Sequence, residues 1–381
     1  MEFFSSITSF GGSTLSYIIP FLFVLSVVVF FHEFGHFIVA RWFGVKVDAF
    51  SLGFGPELWG RYDKHGTRWK LSAIPLGGYV KFLGDEMVAS KPDSLKNLET
   101  YDEATRKQLF QLKPVWQRAL VVFAGPLANF ILAIVIFSGL FMTVGKAIVE
   151  PRVGAVVQGS AAQDAGFAAG DIILNIDGHN ITSFSDVQRL VALSYGQPLH
   201  VTVKRNEAPL DLTVTPKMQA ADEKNGGEAH WMIGLQSPAN GNAVRFEKYN
   251  PLQAVAMATQ ETVFITERTL IFIKDLFAGR APVKELGGPI RIAQVSGEAA
   301  DVSYLALLSL TAILSISIGL LNLFPIPMLD GGHLVFYAIE AIRRRPLSEN
   351  VQEIGFKIGL ALVLMLMVLA TWNDVTRLIK L

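Results

Sequence analysis

Residues 32–36 read His-Glu-Phe-Gly-His, a pattern that can bind a metal ion. On an α-helix, positions four apart lie on one face, so the imidazoles of His32 and His36 can reach the same ion. Glu33 would lie beside them, where a carboxylate can serve as a general base. The alternative is a pair of core histidines that hydrogen-bond across a helix bundle. Ionisable side chains inside apolar segments are usually functional, which favours the metal site.

A catalytic zinc ion usually has three protein ligands, so the pattern requires a third ligand from elsewhere in the chain. The chain contains no cysteine, which leaves imidazole and carboxylate as ligand types. Asp330 is the favoured candidate, because two prolines precede it and a glycine pair follows it, so the chain can leave a helix there. The alternative role for Asp330 is a helix cap. His333 and Glu340 are weaker ligand candidates.

The histidines lie in the first of several long apolar segments. A membrane-spanning helix needs roughly 20 apolar residues, and four stretches qualify: 17–40, 118–144, 303–324 and 355–372. The first stretch lacks a basic leading region and a small-residue cleavage site, so we expect a retained span. The composition is 51% hydrophobic and 17% charged with no net charge, which favours lipid and argues against nucleic-acid binding.

Basic residues predict the orientation of the chain, because they favour the cytoplasmic side of a membrane. Residues 1–16 contain no Lys or Arg, whereas 41–118 are rich in them and 343–345 are all Arg. We therefore expect the N-terminus outside, and both 45–113 and 333–352 in the cytoplasm. The segment 145–302 is then external.

The segments between the spans show weaker patterns. Residues 45–83 alternate apolar and polar between glycines, which predicts hairpins near the membrane surface. The charged stretch 84–113 favours short helices, and 218–245 is typical of a loop. Five charges within 251–277 indicate an external amphipathic helix rather than a fifth span. Strand-like runs at 154–158, 171–176, 199–204 and 210–214, together with a helical period at 184–194, predict an α/β domain.

The order of these motifs resembles the site-2 protease family, in particular the bacterial RseP-type branch of the M50 metalloproteases. The matching pieces are the histidine motif, Asn322-Leu-Phe-Pro-Ile-Pro-Met-Leu-Asp-Gly-Gly, Gly53-Phe54-Gly55, Pro75-Leu-Gly77-Gly78-Tyr-Val-Lys, Ala124-Gly-Pro-Leu-Ala-Asn129 and Gly288-Pro-Ile. They extend over almost the whole chain. The resemblance implies a polytopic α-helical membrane protein with four transmembrane helices, membrane-associated β-hairpins and an inserted external α/β PDZ domain.

The resemblance also implies the site. His32, His36 and Asp330 would bind one Zn²⁺ per chain, and Glu33 would be the catalytic base. Asn322 would orient the substrate backbone, and further substrate contacts would come from Asn129, Gly53, Phe54, Gly55, Gly77 and Gly78. For Asn129, a hydrogen bond between helices is nearly as good an interpretation.

Residues 159–178 resemble the core of a bacterial PDZ domain, with Ala-Gly-Phe at 165–167 and Gly-Asp-Ile-Ile-Leu-Asn-Ile-Asp-Gly at 170–178. PDZ domains bind extended peptide termini by strand addition. Many RseP-type members have two such domains, whereas this sequence shows one. The alternative is a domain that only fills space above the site.

The resulting organisation has four parts: 1–144 with two spans, 145–245 as the external PDZ domain, 246–302 as the external amphipathic region, and 303–381 with two spans. The family implies a multi-pass protein of the bacterial inner membrane with a periplasmic PDZ domain. Its substrates would be single-pass membrane proteins within the lipid bilayer, such as anti-sigma factors, or signal-peptide remnants. The alternatives are a non-catalytic PDZ scaffold, a membrane metalloprotease with a Glu ligand, and a transporter or haem protein.

Overall fold

The computed structural model describes residues 2–84, 102–194, 196–219, 230–238, 244–279, 283 and 286–379. The chain divides into two compact units. The first unit comprises Met1–Ser138, Val255–Thr269 and Leu286–Leu381, and the second comprises Gly139–Ala254 and Leu270–Glu285.

The described residues form helices of very different lengths. They are α1 (Glu2–Trp42), α2 (Glu103–Arg106), α3 (Val115–Thr143), α4 (Ala161–Asp164), α5 (Phe184–Leu193), α6 (Pro251–Phe277), α7 (Pro289–Val302), α8 (Tyr304–Asn322), α9 (Asp330–Arg343) and α10 (Glu349–Ile379). A 3₁₀ turn covers Phe110–Leu112. The short helices predicted within 84–113 are present at α2 and this turn, and 85–101 lie outside the described residues.

Four of the described helices are long and apolar enough to cross a membrane. Their candidate spans are Leu15–Trp42, Val115–Thr143, Tyr304–Asn322 and Asn350–Ile379. The four predicted spans are therefore confirmed, and α6 is not among them. Three of the helices extend past the apolar stretches because hydrogen bonding along a helix continues into polar flanking residues.

The strands are mostly short. They are β1 (Val47–Tyr62), β2 (Arg68–Phe82), β3 (Lys146–Val149), β4 (Ala155–Val156), β5 (Ile172–Ile176), β6 (His179–Asn180), β7 (Leu199–Arg205), β8 (Ala208–Val214), β9 (Lys217–Gln219), β10 (His230–Met232), β11 (Leu235–Gln236) and β12 (Val244–Glu247).

β1 and β2 form an antiparallel pair in the first unit, in the region where hairpins were predicted. The pairing is irregular, because the first half of β1 has partners on both sides. Phe50 pairs with Val80 and also with Trp69, while Gly60 pairs with Lys70. The two strands thus form four segments in the order 78–82, 47–52, 68–72 and 57–62, and the outer segments are the edges. Phe50 is 2% exposed and packs among the rings of Phe30, Phe37 and Trp69, which joins this sheet to α1.

The second unit contains a four-stranded sheet in the order β6-β5-β7-β8. Alternate residues of β7, among them Val203, are buried in one core cluster with Ile173 of β5 and Val187 of α5. A capping box formed by Ser183 and Asp186 begins α5. These elements match the strand-like runs and the helical period predicted for 150–216. The prediction of a loop for 218–245 was wrong in part, because β9 pairs with β10 and β4 with β11. Such two- and three-residue strands are too short to produce a readable alternation.

Candidate metal centre

His32 and His36 lie one helical turn apart on α1, and their Nε2 atoms are 3.4 Å apart. Oδ2 of Asp330 lies 3.1 Å from Nε2 of His32 and 3.5 Å from Nε2 of His36. Two ligands that each lie about 2.0–2.1 Å from a tetrahedral zinc ion are roughly 3.3 Å apart. The three observed separations therefore match the edges of one face of a zinc tetrahedron. The structure brings together the three residues that the sequence predicted as ligands.

The turn between α8 and α9 positions Asp330. This turn follows Asn322, and the backbone of Leu323 and Phe324 passes directly over Gly331. Any Cβ at position 331 would overlap the carbonyl oxygens of both residues, so the close approach requires glycine. The glycine pair after Asp330 thus allows the turn to pack on the first turn of α9, which carries the carboxylate into the bundle.

The surroundings of Asp330 fit a bound cation. Its side chain is 17% exposed, and its Oδ2 receives no well-directed hydrogen bond from any described residue. A buried carboxylate oxygen without a donor is costly unless a cation binds it. Asp330 lies in the first turn of α9, but the N-cap is Leu329 and no side chain caps this helix. The helix-cap alternative therefore does not describe this carboxylate.

Residues of α3 contact the Nδ1 atom of each histidine. Nδ1 of His36 donates to the carbonyl oxygen of Val121 over 2.9 Å. Nδ1 of His32 lies 3.3 Å from the carboxamide of Asn129, which is fully buried. A partner on Nδ1 fixes the ring orientation and leaves Nε2 free for a metal. The carbonyl of Val121 could not be found from the sequence, because a backbone partner leaves no residue-type signal.

Glu33 lies beside the three candidate ligands. Its carboxylate interacts electrostatically with His36, His32 and Asp330, and it accepts a hydrogen bond from the backbone N–H of Val80. Gly78, on the same edge of the sheet, lies against the Glu33 side chain, where an added Cβ would approach Cγ to 3.1 Å. The sheet formed by β1 and β2 therefore borders the site at segment 78–82.

Gly125 of α3 is a site residue whose role the sequence did not reveal. A Cβ at this position would overlap the imidazole of His36 at Nε2. Its sequence signal was limited to the Ala-Gly-Pro motif, which carries no information about distance. The absence of a side chain at 125 leaves room for the ring of His36.

Several predicted substrate contacts have other surroundings. Asn129 is 0% exposed, so its side chain contacts His32 and not the open side of the site. This burial favours the alternative interpretation of Asn129, a contact between helices, over direct contact with a substrate. Asn322 is the last residue of α8 and is partly exposed at the start of the turn to Asp330.

The glycine motifs of the hairpin shape the backbone. Gly53, Gly55 and Gly77 have positive φ angles of 92°, 84° and 138°. The ring of Phe54 stacks on Tyr79 with centroids 6.2 Å apart, and it passes close over Gly77. Direct contact of these residues with a substrate stays a prediction.

The weaker ligand candidates have other partners. His333 packs against the rings of Phe336 and Phe356. Glu340 pairs with Arg118 at 2.5 Å, and both side chains are 14% exposed. Neither residue belongs to the cluster of three ligand atoms.

Comparison with known proteins gives the family. The model of peptidase family M50 matches residues 20–366. The chain belongs to peptidase family M50. It is accordingly a metalloprotease with membrane helices, and its cofactor is zinc.

The relatives that the chain matches cover nearly its whole length. A protein of Agrobacterium fabrum whose name assigns it to the zinc metalloproteases is 48% identical over 376 residues, which is 98% of this chain and 100% of the relative. The metalloprotease MmpA of Caulobacter vibrioides is 41% identical over 382 residues, which is 94% of this chain and 95% of the relative. A solved PDZ domain of an SdrC-like protein from Listeria monocytogenes is 21% identical and covers 25% of this chain and 93% of the domain, with a TM-score of 0.20.

Proposed function

We propose that this M50 peptidase cleaves peptide bonds within the transmembrane segments of single-pass membrane proteins, using a zinc ion held by His32, His36 and Asp330. The observation that carries the proposal is the cluster of their three ligand atoms, all within 4.8 Å of one another. Two of these ligands lie in a helix that is long and apolar enough to span a membrane.

Glu33 is the proton carrier in this proposal. A bound zinc ion supplies Lewis acidity, which acidifies water and polarises a carbonyl group. The Glu33 carboxylate accepts a proton from the water that attacks the scissile carbonyl carbon, and it delivers that proton to the leaving amine nitrogen. Its hydrogen bond from Val80 fixes the carboxylate beside the ligands during both transfers.

A helical substrate must unwind before its carbonyl can be attacked, because its backbone groups are already hydrogen-bonded within the helix. The edge segment 78–82 can replace those bonds by strand addition, since it has β1 on one side only among the described strands. Its proximity to Glu33 supports this position for the scissile strand. Asn322, at the end of α8, would add a side-chain hydrogen bond to the substrate backbone.

The remaining proposals concern location and selection. We place the protein in the bacterial inner membrane with its N-terminus outside, because Lys and Arg concentrate in 41–118 and 343–345. The domain at 145–245 would be periplasmic, and its PDZ-like sequence suits peptide or protein termini. Anti-sigma factors and signal-peptide remnants are the substrate classes that the family resemblance suggests.

The proposal is tested with purified protein in liposomes and a reporter that has one transmembrane segment. Glu33→Gln should retain zinc at one ion per chain and lose at least a hundredfold of cleavage rate, because general acid–base catalysis contributes about 10²–10⁴-fold. The matched control is Glu103→Gln, which changes a side chain that is 87% exposed and should leave the rate unchanged. Full activity of Glu33→Gln would overturn the assignment of the base.

The same variant identifies natural substrates. Glu33→Gln should bind substrates without releasing products, so proteins captured with it from membranes can be identified by mass spectrometry. Recovery of single-pass proteins that wild-type enzyme cuts inside the bilayer supports the proposal. Captured proteins that are cut only in soluble segments would contradict it.

A further inference from the structure

Asn129 is one of the most deeply buried polar residues among those the structure describes. Its side chain is 0% exposed, and it lies between two helices of the first unit. On one side its carboxamide faces Nδ1 of His32 at 3.3 Å. On the other side, Ser315 of α8 donates to its backbone carbonyl oxygen over 2.9 Å, and an added Cβ on Gly319 would lie 3.0 Å from its Cβ. Both the backbone and the side chain of Asn129 are thus fixed.

The carboxamide has one polar atom without a partner. Oδ1 of Asn129 is buried and receives no hydrogen bond from the described residues, while Nδ2 faces the imidazole. With Nδ2 as donor, Nδ1 of His32 must carry the lone pair, and Nε2 must then carry the hydrogen of a neutral ring. A protonated Nε2 cannot bind a metal ion, although this is the atom that faces Asp330.

Rotation of the carboxamide by a half turn reverses the pattern. Oδ1 then accepts a hydrogen bond from Nδ1–H, and Nε2 of His32 becomes the lone-pair atom that a zinc site needs. We infer that Asn129 is a positioning residue, whose Oδ1 selects the metal-binding tautomer of His32. It does not touch the substrate. The inference rests on the proposed ligand role of His32. In other metal sites, a carboxylate or a backbone carbonyl usually accepts the hydrogen bond from the ring nitrogen that does not bind the metal, and here Asn129 would do so.

The two histidines then have parallel support from one helix. Val121 supplies a carbonyl oxygen to Nδ1 of His36 over 2.9 Å, and Asn129 supplies a side-chain carbonyl oxygen to Nδ1 of His32. A backbone carbonyl can only accept a hydrogen bond, whereas a carboxamide can rotate to present either its oxygen or its NH₂ group. The affinity of the site for zinc should therefore depend on the side chain at 129, but not on the side chain at 121, because Val121 acts through its backbone.

The experiment measures zinc affinity by chelator competition on the full-length protein in detergent, without reference to cleavage. Asn129→Leu keeps the number and branching of the side-chain heavy atoms and removes the acceptor, and Asn129→Ser removes the acceptor at this distance with a smaller side chain. Both should bind zinc 10–100-fold more weakly, which is the usual cost of losing such a partner. Asn129→Asp keeps an acceptor oxygen and should bind zinc at least as tightly as the wild type. Ser138→Ala, a buried change on the same helix whose hydroxyl makes no hydrogen bond to the described residues, should leave the affinity unchanged.

A packing role for Asn129 predicts the opposite order. The leucine variant would then equal the wild type, and the aspartate variant would be the weakest because it buries a charge; that order overturns the inference. His32→Ala separates this result from failure of the metal site itself. If His32→Ala leaves zinc affinity unchanged, the proposed ligand set is wrong; if His32→Ala abolishes binding while Asn129→Leu and Asn129→Ser do not weaken it, only the role of Asn129 is wrong.

Discussion

Three side chains from two distant parts of the sequence determine what the site can bind. The spacing of His32 and His36 is a property of one helix, so the sequence alone was sufficient to predict that they share a face. Asp330 could be predicted only because prolines and glycines around it mark a departure from helical structure. Its distance of 3.1 Å from His32 depends on the packing of α8 and α9, which no local pattern contains.

Asp330→Asn should remove most bound zinc together with all measurable cleavage. The amide is a neutral and weaker ligand, and its NH₂ group cannot coordinate a cation. Zinc content by atomic absorption and cleavage of a membrane reporter check this expectation. Asp301→Asn, an acidic residue in the last turn of α7, is the control and should change neither quantity. An Asp330→Asn protein with a full zinc complement would exclude this carboxylate as a ligand.

Gly125→Ala should weaken zinc binding at least tenfold, because the new methyl group would overlap the ring of His36. Overpacking of this kind typically costs about 1–3 kcal/mol of stability as well. Gly139→Ala is the matched control, since it lies on the same helix with no described atom within 4 Å of the added Cβ. Zinc affinity and thermal unfolding, measured side by side, should separate the two variants. Equal zinc affinities would show that the ring of His36 can move aside.

Helices and strands were predicted with unequal success, for physical reasons. The spans follow from length and apolar content, and the four described candidates agree with the sequence. The sheet around β5 and β7 follows from alternation, with Ile173 and Val203 buried as expected. The four-segment arrangement of β1 and β2 was not foreseen, because irregular pairing at Gly53 and Gly55 folds each strand back on the other. Long-range pairing of β4 with β11 was also missed.

The edge formed by 78–82 should contact the substrate during cleavage. A single cysteine at Lys81→Cys, in the Glu33→Gln background, should form a disulfide with a substrate cysteine placed near the scissile bond. The chain has no natural cysteine, so background coupling is absent. Arg61→Cys on the opposite edge of the same sheet is the control and should couple much less. Equal coupling at both positions would refute strand addition at 78–82.

The chain combines two units with different chemistry. The first contains the candidate spans and the ligands, and the second is a domain with its own core around Ile173, Ile176 and Val201. The sequence predicted a boundary at residue 144, and the first break between the two units falls nearby, after Ser138. The four-part organisation stays a prediction. The position of the second unit across the membrane stays a prediction from the distribution of basic residues.

The predicted orientation can be measured with single cysteines. A membrane-impermeant maleimide applied to spheroplasts should label Lys217→Cys, whose native side chain is 58% exposed. It should label Lys107→Cys, 76% exposed in its native form, only after the membrane is opened. The reverse labelling pattern would invert the proposed topology.

The stability of the second unit should depend on a buried ion pair. Asp171 is 1% exposed and accepts two hydrogen bonds of 2.7 Å from Arg205. Burial alone would raise the pKa of Asp171, but the hydrogen bonds from Arg205 and from the backbone of Ala168 hold this pKa below its usual value. The stabilisation is therefore complete above the unfolded-state pKa of about 3.9, and it is lost as the pH falls through the lower folded-state pKa.

Asp171→Asn should destabilise this unit by about 2 kcal/mol near neutral pH, since hydrogen bonds to charged groups contribute about 1.5–3 kcal/mol. Hydrogen exchange of β7 in the full-length protein should be faster in this variant, and the difference from wild type should shrink in acid. Asp164→Asn, which breaks an exposed pair with Lys217, should have little effect. Equal exchange rates in Asp171→Asn and wild type would contradict the proposed contribution.

Two of the proposed ligands precede the inserted domain in the sequence and the third follows it, and this sets the order in which they are synthesised. During translation both histidines enter the bilayer early, whereas the aspartate emerges only after the whole inserted domain has been synthesised. A ribosome-bound chain that stops before Asp330 therefore lacks the third proposed ligand. With the proposed ligand set, zinc binding and cleavage both have to wait until the inserted domain has been synthesised.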